Sequence, residues 1–208
     1  MSPRPYRSPR RAKTAAQTRE RIVTAAAAML GAPEGAGGFS LDAVAKQAGV
    51  TRLTVYNQFG SRRALLEAVF DETAARGGLH RIAEAMTDPD PHASLRQIVT
   101  IFCDFWNYDP AALWRLHAAG ASDPELEASL RARNERRRRL LSVPVARMAE
   151  GGRMDSKVLV DIVDMLFALT SFSFFSELTA AGRTADAACR LIQELASDVI
   201  RRAMPEAD

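Results

Sequence analysis

The chain has 208 residues, of which 47% are hydrophobic and 25% are charged. A chain of this length and apolar content can bury a proper core as one large domain or two small ones, which excludes disorder throughout. Cys103 and Cys189 are its two cysteines, too few for a disulfide framework or a cysteine zinc site. The first residues contain no apolar run of the kind that a signal peptide needs, so we expect a cytoplasmic protein.

The net charge of +3 is distributed unevenly along the chain. Residues 1–63 carry eleven basic and three acidic side chains, a net charge of +8, whereas the rest of the chain carries −5. A basic segment joined to an acidic one suggests a polyanion-binding part attached to a part with another task. The predicted polyanion for the N-terminal third is therefore a nucleic acid.

The N-terminal segment predicts a basic arm followed by a helix. Residues 1–13 are rich in Pro, Arg and Ser and lack hydrophobic periodicity, so we expect them to form a flexible arm. Thr14 and Gln17 have the spacing of a capping box, which predicts a helix over roughly residues 15–30. The glycine-rich residues 31–38 predict a loop after it.

Two short helices joined by a tight turn are predicted next. Ser40 and Thr51 are N-cap residues, each preceded by an apolar residue that can pack onto the helix it opens. Ala48-Gly49 between the helices predicts a sharp reversal, and Ser61 predicts the cap of a longer helix. A helix, a glycine turn and a second helix within about 20 residues are typical of a helix-turn-helix.

The remainder of the sequence predicts helices alone. Its breaks lie at Asp88–Pro91, Asp109–Pro110, Ser122–Pro124 and Gly151–Gly152, and no sustained period-2 run indicates a strand. The densest charge run, Arg136–Arg139, predicts a solvated helix face. The fold class that we predict is all-α.

The last two predicted helices differ in character. Lys157–Leu178 is hydrophobic nearly all round, but its uncharged stretch is shorter than the ~20 residues of a membrane span, so we expect a doubly buried helix and no membrane partner. Ala185–Ala203 carries a narrow apolar seam. Together they predict half of an intermolecular four-helix bundle in a homodimer. The predicted dimer-interface residues are Phe174, Ala188, Ile192, Leu195 and Val199.

The stretch from Phe39 to Phe59, FSLDAVAKQAGVTRLTVYNQF, carries a family resemblance. Its caps, its Ala-Gly-Val turn, its tyrosine and its closing phenylalanine resemble the DNA-binding motif of TetR/AcrR-type transcriptional regulators, and the similarity extends over roughly residues 14–70. Two departures are Gln58, where that family often has His, and Arg62-Arg63, where it often has Lys-Glu. The resemblance implies a DNA-binding head over residues 14–63 and a helical effector-sensing and dimerisation domain over residues 64–208.

The second helix of a helix-turn-helix enters the major groove with its N-terminal residues toward the base edges. That places Arg52, Leu53 and Thr54 at the bases, where arginine can bond guanine and the other two can contact a thymine methyl group. The remaining hydroxyl, amide and basic side chains suit phosphates. The predicted DNA-binding residues are Ser40, Lys46, Thr51, Arg52, Leu53, Thr54, Tyr56, Asn57, Gln58, Ser61 and Arg62. The arm could follow the backbone or enter the minor groove.

The middle of the chain offers aromatic candidates for an effector pocket, since the resemblance implies that the C-terminal helices enclose an effector. The candidates are Phe102, Phe105, Trp106, Trp114, His117, Phe167 and Phe172. Core packing is the alternative for each of them. Because few cationic residues lie among them in the sequence, we expect a small apolar or weakly polar effector.

The sequence contains no Walker-type loop and no metal-ligand spacing, and its three histidines fall on separate segments. We therefore expect no enzyme, cofactor or metal site. The function that we predict is a ligand-responsive repressor that binds a pseudo-palindromic operator in double-stranded DNA as a homodimer. The alternative is a constitutive dimeric DNA-binding protein without an effector.

Overall fold

The computed structural model describes residues 9–32, 39–150 and 155–203. These residues form eleven α-helices and a short 3-10 helix and contain no strand, so the predicted all-α class is confirmed. Residues 1–8 of the arm predicted over residues 1–13, residues 33–38 of the loop predicted over residues 31–38, and the break predicted at Gly151–Gly152 lie outside the described residues. Residues 9–13 belong to the first helix, so the arm prediction was wrong for them.

Four helices form the N-terminal part. They are α1 (Pro9–Gly31), α2 (Leu41–Ala48), α3 (Arg52–Phe59) and α4 (Arg62–Arg76). Helix α1 begins earlier than the predicted cap at Thr14, because a proline is well accommodated in the first turn of a helix. Thr14 lies inside α1, where its carbonyl accepts a hydrogen bond of 2.9 Å from the Thr18 hydroxyl. The predicted start of this helix was therefore wrong.

The later helices follow a 3-10 helix at Leu79–Arg81. They are α5 (Ile82–Ala85), α6 (Pro91–Tyr108), α7 (Pro110–Gly120), α8 (Pro124–Met148), α9 (Ser156–Leu169), α10 (Phe172–Ala180) and α11 (Ala185–Ala203). Helices α6, α7 and α8 each begin with a proline, as the predicted breaks indicate. Asp90 caps α6 by accepting a 2.9 Å hydrogen bond from the His92 amide. Pro144 lies within α8, which continues to Met148.

The single helix predicted over Lys157–Leu178 is instead two helices, α9 and α10, bent by 46°. Ser171 begins α10 by accepting a 3.1 Å hydrogen bond from the Phe174 amide. Hydroxyl side chains compete for backbone groups in this way, and the hydrophobic pattern alone does not reveal the break. Among the described helices, none by itself has the length and hydropathy of a membrane span, whereas the bent pair α9 and α10 together reach that length and composition.

The chain divides into two compact units. The first contains residues 1–72 and 111–126, and in it α1 packs against α2 and α2 packs against α3. Its fully buried side chains include Ile22, Leu30, Val44, Val55, Leu65, Leu66, Leu113 and Leu116. Burying each such side chain contributes about 1.5–3 kcal/mol, which stabilises α2 and α3, both too short to be stable alone.

The second unit contains residues 73–110 and 127–208. Helix α6 is central to it, because it packs against α5, α10 and α11, while α11 also packs against α9 and α10. The fully buried core includes Ile98, Phe105, Leu141, Ile162 and Leu166. This packing brings side chains of α6, α8 and α9 together at one place, the second candidate site described below.

Candidate functional site

The turn between α2 and α3 is held by a left-handed glycine and an arginine. Gly49 has φ +63° and ψ +40°, and the Val50 amide donates to the Ala45 carbonyl at 2.9 Å, which closes the end of α2. Arg21 of α1 donates from Nη2 to the Ala48 carbonyl at 2.6 Å. Arg21 therefore constrains the angle between α2 and α3 in addition to the turn itself.

The three predicted N-caps are confirmed. Ser40 accepts from the Ala43 amide at 3.2 Å and Ser61 accepts from the Ala64 amide at 3.1 Å. Thr51 accepts from the Thr54 amide at 3.1 Å. A serine that accepts a capping bond still has a hydroxyl proton to donate, so the cap geometry is compatible with the phosphate contacts predicted for both serines.

Helix α3 has one buried and one exposed face. Val55 and Phe59 are buried, whereas Leu53 is 65% exposed and Tyr56 is 57% exposed. Arg52 and Asn57 are also exposed. A leucine and a tyrosine left in solvent on a helix that already buries its other face form a surface suited to a partner.

Two of the three predicted base-reading residues already have partners in the protein. Arg52 forms an ion pair with Asp42, an acidic side chain in the first turn of α2 that sequence analysis did not assign to the site. The Thr54 hydroxyl lies 2.8 Å from the Thr51 hydroxyl, and Thr54 is half-buried. Leu53, the third of these residues, is 65% exposed.

The predicted phosphate contacts differ in how accessible they are. Lys46 is exposed, while Gln58 and Arg62 are half-buried. The Arg62 guanidinium carbon lies 5.4 Å from the centroid of the Phe39 ring. Lys46 belongs to α2, Gln58 to the last turn of α3 and Arg62 to the first turn of α4.

Several basic residues of the +8 segment are engaged within the protein. Arg63 pairs with Glu67 at 3.0 Å and with Glu125 at 2.9 Å. The guanidinium carbon of Arg19 lies 4.4 Å from the centroid of the Phe59 ring, where it supports the end of α3. The charge arithmetic does not separate the arginines predicted to bind phosphate from these packing arginines.

Four of the seven predicted effector residues form a buried aromatic cluster in the second unit. Trp106 lies with its ring centroid 6.2 Å from Phe102, 4.5 Å from Phe105 and 5.5 Å from Phe172. Its indole nitrogen donates to the Thr170 carbonyl at 3.0 Å. We call Phe102, Phe105, Trp106 and Phe172 the aromatic cluster.

The other three effector candidates are not members of the aromatic cluster. Trp114 and His117 lie on α7 in the first unit, with Trp114 about half exposed and His117 Nδ1 2.8 Å from the Leu113 carbonyl of its own helix. Phe167 lies on α9 in the second unit, next to two arginines. Phe167 is linked to the aromatic cluster through a shared neighbour, Arg137.

Arg137 corrects two sequence-based expectations. Its residue surface is 5% exposed, so Arg136–Arg139 is not a uniformly solvated face, although Arg136 and Arg139 are exposed. Its guanidinium carbon lies 4.1 Å from the centroid of Phe167 and 5.9 Å from that of Phe102. The expectation of an apolar effector rested on there being few cations among these aromatics in the sequence. Tertiary packing places Arg137 beside two of them, so this premise does not hold in the structure, and the type of effector stays a prediction.

The predicted dimer-interface residues fall into two groups. Ala188 and Ile192 are buried inside their own chain, so they offer no surface to a partner, and that part of the prediction was wrong. Leu195, Val199 and Phe174 are half-buried. Leu195 and Val199 line an apolar groove of about 530 Å³ between α9 and α11. The remaining residues of the groove are Val158, Asp161, Ile162, Met165, Ala168, Leu169, Asp198, Arg202 and Ala203.

The capped and glycine-turned α2–α3 pair, with an exposed face on α3, defines a class of protein: an all-α, helix-turn-helix DNA-binding regulator. Residues 23–69 match the family model described as bacterial regulatory proteins, tetR family. The matched residues include α2, α3 and the first part of α4, so the helix-turn-helix of this chain is similar to that of tetR-family regulators. No curated protein matches it in sequence.

Solved structures show the same fold over most of the chain. A TetR-like transcriptional regulator from Rhodococcus sp. RHA1 is 19% identical, with 91% of this chain and 97% of that chain covered and a TM-score of 0.63. A TetR transcription regulator from Haloarcula marismortui is 16% identical, with 88% and 96% covered and a TM-score of 0.69. The multidrug binding protein EbrR, complexed with imidazole, is 20% identical, with 96% and 97% covered and a TM-score of 0.62.

Proposed function

We propose that this regulator is a ligand-responsive repressor that binds a pseudo-palindromic operator as a homodimer. The exposed face of α3 is the observation that carries the proposal, because a helix of eight residues buries Val55 and Phe59 and leaves Leu53 and Tyr56 in solvent. The proposed DNA ligand supports a location in the cytoplasm.

In this function α3 lies in the major groove. Arg52, Leu53 and Thr54 read base edges, and Tyr56, Asn57 and Gln58 contact the phosphate backbone together with Lys46 and the two capping serines. Arg62 adds a phosphate contact from the first turn of α4. The roles of the individual residues rest on their position along α2, α3 and α4 and on their accessibility.

The dimer rests on the groove between α9 and α11. Its apolar lining includes Met165, which is 45% exposed, and it contains Leu195 and Val199 from the predicted seam. Two copies that meet there by a twofold axis present two α3 helices, and such a pair reads half-sites about 34 Å apart, one turn of DNA. The operator is then a pseudo-palindrome.

The effector is a small molecule bound in the second unit at the aromatic cluster. The match of the fold to a drug-binding protein, EbrR, supports a sensing role for this part. Ligand binding shifts the two DNA-reading heads away from the half-site spacing and lowers the affinity for the operator.

The test begins with selection of bound duplexes from a pool of random DNA, using the full chain. The expected product is a pseudo-palindromic site that is bound at least about 10³-fold more tightly than random DNA in fluorescence anisotropy at fixed salt. Enrichment of no sequence, or of a single asymmetric half-site, would contradict the dimeric operator. If small molecules that bind the second unit leave operator affinity unchanged, the protein is the constitutive regulator instead.

A further inference from the structure

Arg137 carries a charge that the protein itself does not balance. The side chain belongs to α8, is almost fully buried, and has no Asp or Glu as an ion-pair partner among the described residues. Its neighbour Arg138 provides the contrast: it lies 4.3 Å from the same Phe167 ring, is 34% exposed and pairs with Asp164. Natural proteins rarely bury an arginine without a carboxylate, because desolvating an unpaired ion costs several kcal/mol.

The hydrogen bonds of Arg137 use one end of the guanidinium. Nη1 donates to the Phe167 carbonyl at 2.7 Å and to the Thr170 hydroxyl at 2.8 Å. Nε is buried and has no hydrogen-bond partner. The edge formed by Nε and Nη2 is one that takes a carboxylate side-on, through two parallel bonds.

The end of α9 compensates only part of this charge. The Phe167 carbonyl belongs to the last turn of α9, where the helix dipole supplies about half a negative charge. Burial, and then the charge of Arg138, lower the pKa of Arg137 to about 10, so the guanidinium stays protonated at neutral pH. A full positive charge thus lies in a buried setting with a free donor and an incomplete counter-charge.

The surroundings of the free donor are aromatic. Phe102 of the aromatic cluster and Phe167 of α9 both lie within 6 Å of the Arg137 guanidinium carbon. Phe167 is half-buried, so this group of side chains reaches the surface at that ring. A molecule with an anionic head and an apolar body matches both features.

We propose that Arg137 is the anion-recognition residue of the effector site and that the effector is an organic carboxylate with an apolar body. The inference rests on the proposed sensing function and names its ligand class. The carboxylate accepts from Nε of Arg137, and the body packs against Phe102 and Phe167. A cationic effector is disfavoured, because it would place a second positive charge beside an uncompensated guanidinium.

The test compares each carboxylate with its uncharged amide. The probes are benzoate, phenylacetate, octanoate and decanoate, with the four matching amides, titrated into the full chain by calorimetry. At least one carboxylate is expected to bind about tenfold or more tightly than its amide, since a charge-assisted hydrogen bond is roughly twice as strong as a neutral one. Four amides that bind as well as their acids would overturn the proposal.

Variants separate recognition from a structural role. Arg137→Met should bring the affinity ratio of acid to amide close to 1, while Arg137→Lys should keep part of the preference because it keeps the charge. Arg136→Met, an exposed neighbour on α8, should leave the ratio unchanged. An unchanged ratio in Arg137→Met would refute the assignment, and if that variant does not fold, the wild-type ratio and Arg137→Lys decide.

Operator binding is measured in parallel without any probe. A carboxylate preference that depends on Arg137, in a protein that binds no operator, contradicts the proposed function and supports the ligand assignment. Tight operator binding with no preference for any carboxylate over its amide contradicts the ligand assignment alone.

Discussion

Nη1 of Arg52 lies 3.3 Å from Oδ2 of Asp42, so the first residue of α3 is paired with the first turn of α2. About two thirds of each side chain is exposed. An ion pair this exposed adds at most about 1 kcal/mol to stability. In the proposed function the pair bears on recognition, because Asp42 would orient the guanidinium predicted to read a base and would place a negative charge near the DNA.

Arg52→Ala should weaken operator binding by about 1–3 kcal/mol and relax the preference at one base pair in each half-site. The physical reason is the loss of two hydrogen bonds to a guanine edge, which random DNA does not present in register. The measurement is anisotropy on the selected operator and on single-base variants of it. An equal loss on operator and random DNA would make Arg52 a phosphate contact.

Asp42→Asn should raise the affinity for random DNA. Removal of one negative charge strengthens the attraction to phosphates, so affinity for random duplexes rises, while the freed Arg52 discriminates less among bases. The ratio of operator to random affinity therefore falls. A ratio that rises or stays constant would show that Asp42 does not position Arg52.

Arg62→Ala should weaken binding to all DNA alike and reduce the slope of log affinity against log salt by about 1. The matched control is Arg63→Ala, the next residue of α4, whose charge is already taken up by Glu67 and Glu125. The control variant should change the slope much less. Equal slope changes for both would mean that the ion pairs of Arg63 open when DNA binds.

The local signals in the head predicted its structure well. Ser40, Thr51 and Ser61 cap the helices that the sequence assigned to them, because a cap depends on residues three positions apart. The pairing of Asp42 with Arg52 was not predictable, since it depends on the angle between two helices. Helix α1 was predicted too short because a good capping box at Thr14 can also occur inside a longer helix.

The second unit shows where sequence reasoning reaches its limit. A charge run suggests a solvated face, yet Arg137 turns inward while its neighbours Arg136 and Arg139 remain outside. Likewise the apolar seam of α11 has two sides. Ile192 is covered within its own chain, whereas Leu195 lines an open groove. Periodicity gives the apolar stripe of a helix, and only packing tells which neighbour covers each part of it.

Gly49→Ala should lower the free energy of unfolding by about 1–2 kcal/mol, because alanine is strained in the left-handed region at φ +63°. A Cβ there would also lie 3.3 Å from Nη2 of Arg21. Gly49→Asn is the matched control, since asparagine tolerates this region better and carries the same Cβ. Urea denaturation measures both. If alanine and asparagine destabilise equally, the contact with Arg21 and not the backbone angle dominates.

Cys189 should react faster than Cys103 with iodoacetamide in the folded protein. Interaction with the Cys103 thiol lowers the pKa of Cys189, while interaction with Cys189, together with burial, raises the pKa of Cys103. As pH rises toward the ordinary thiol range, Cys189 therefore forms the reactive thiolate first. Mass spectrometry of the labelled peptides checks the order. Cys103→Ala should slow the labelling of Cys189 at neutral pH, and equal rates at both cysteines would contradict the coupling.

Leu195→Glu should convert the proposed dimer into folded monomers. Leu195 lines the open groove between α9 and α11, so a carboxylate there would lose its hydration against an apolar partner surface. Sedimentation velocity measures the mass, and circular dichroism verifies that the helices remain. Ser197→Glu, at an exposed position on the same helix, is the control and should stay dimeric. Ile192→Glu should unfold the second unit instead, because Ile192 is buried in its own chain. A Leu195→Glu protein that remains dimeric would move the interface away from this groove.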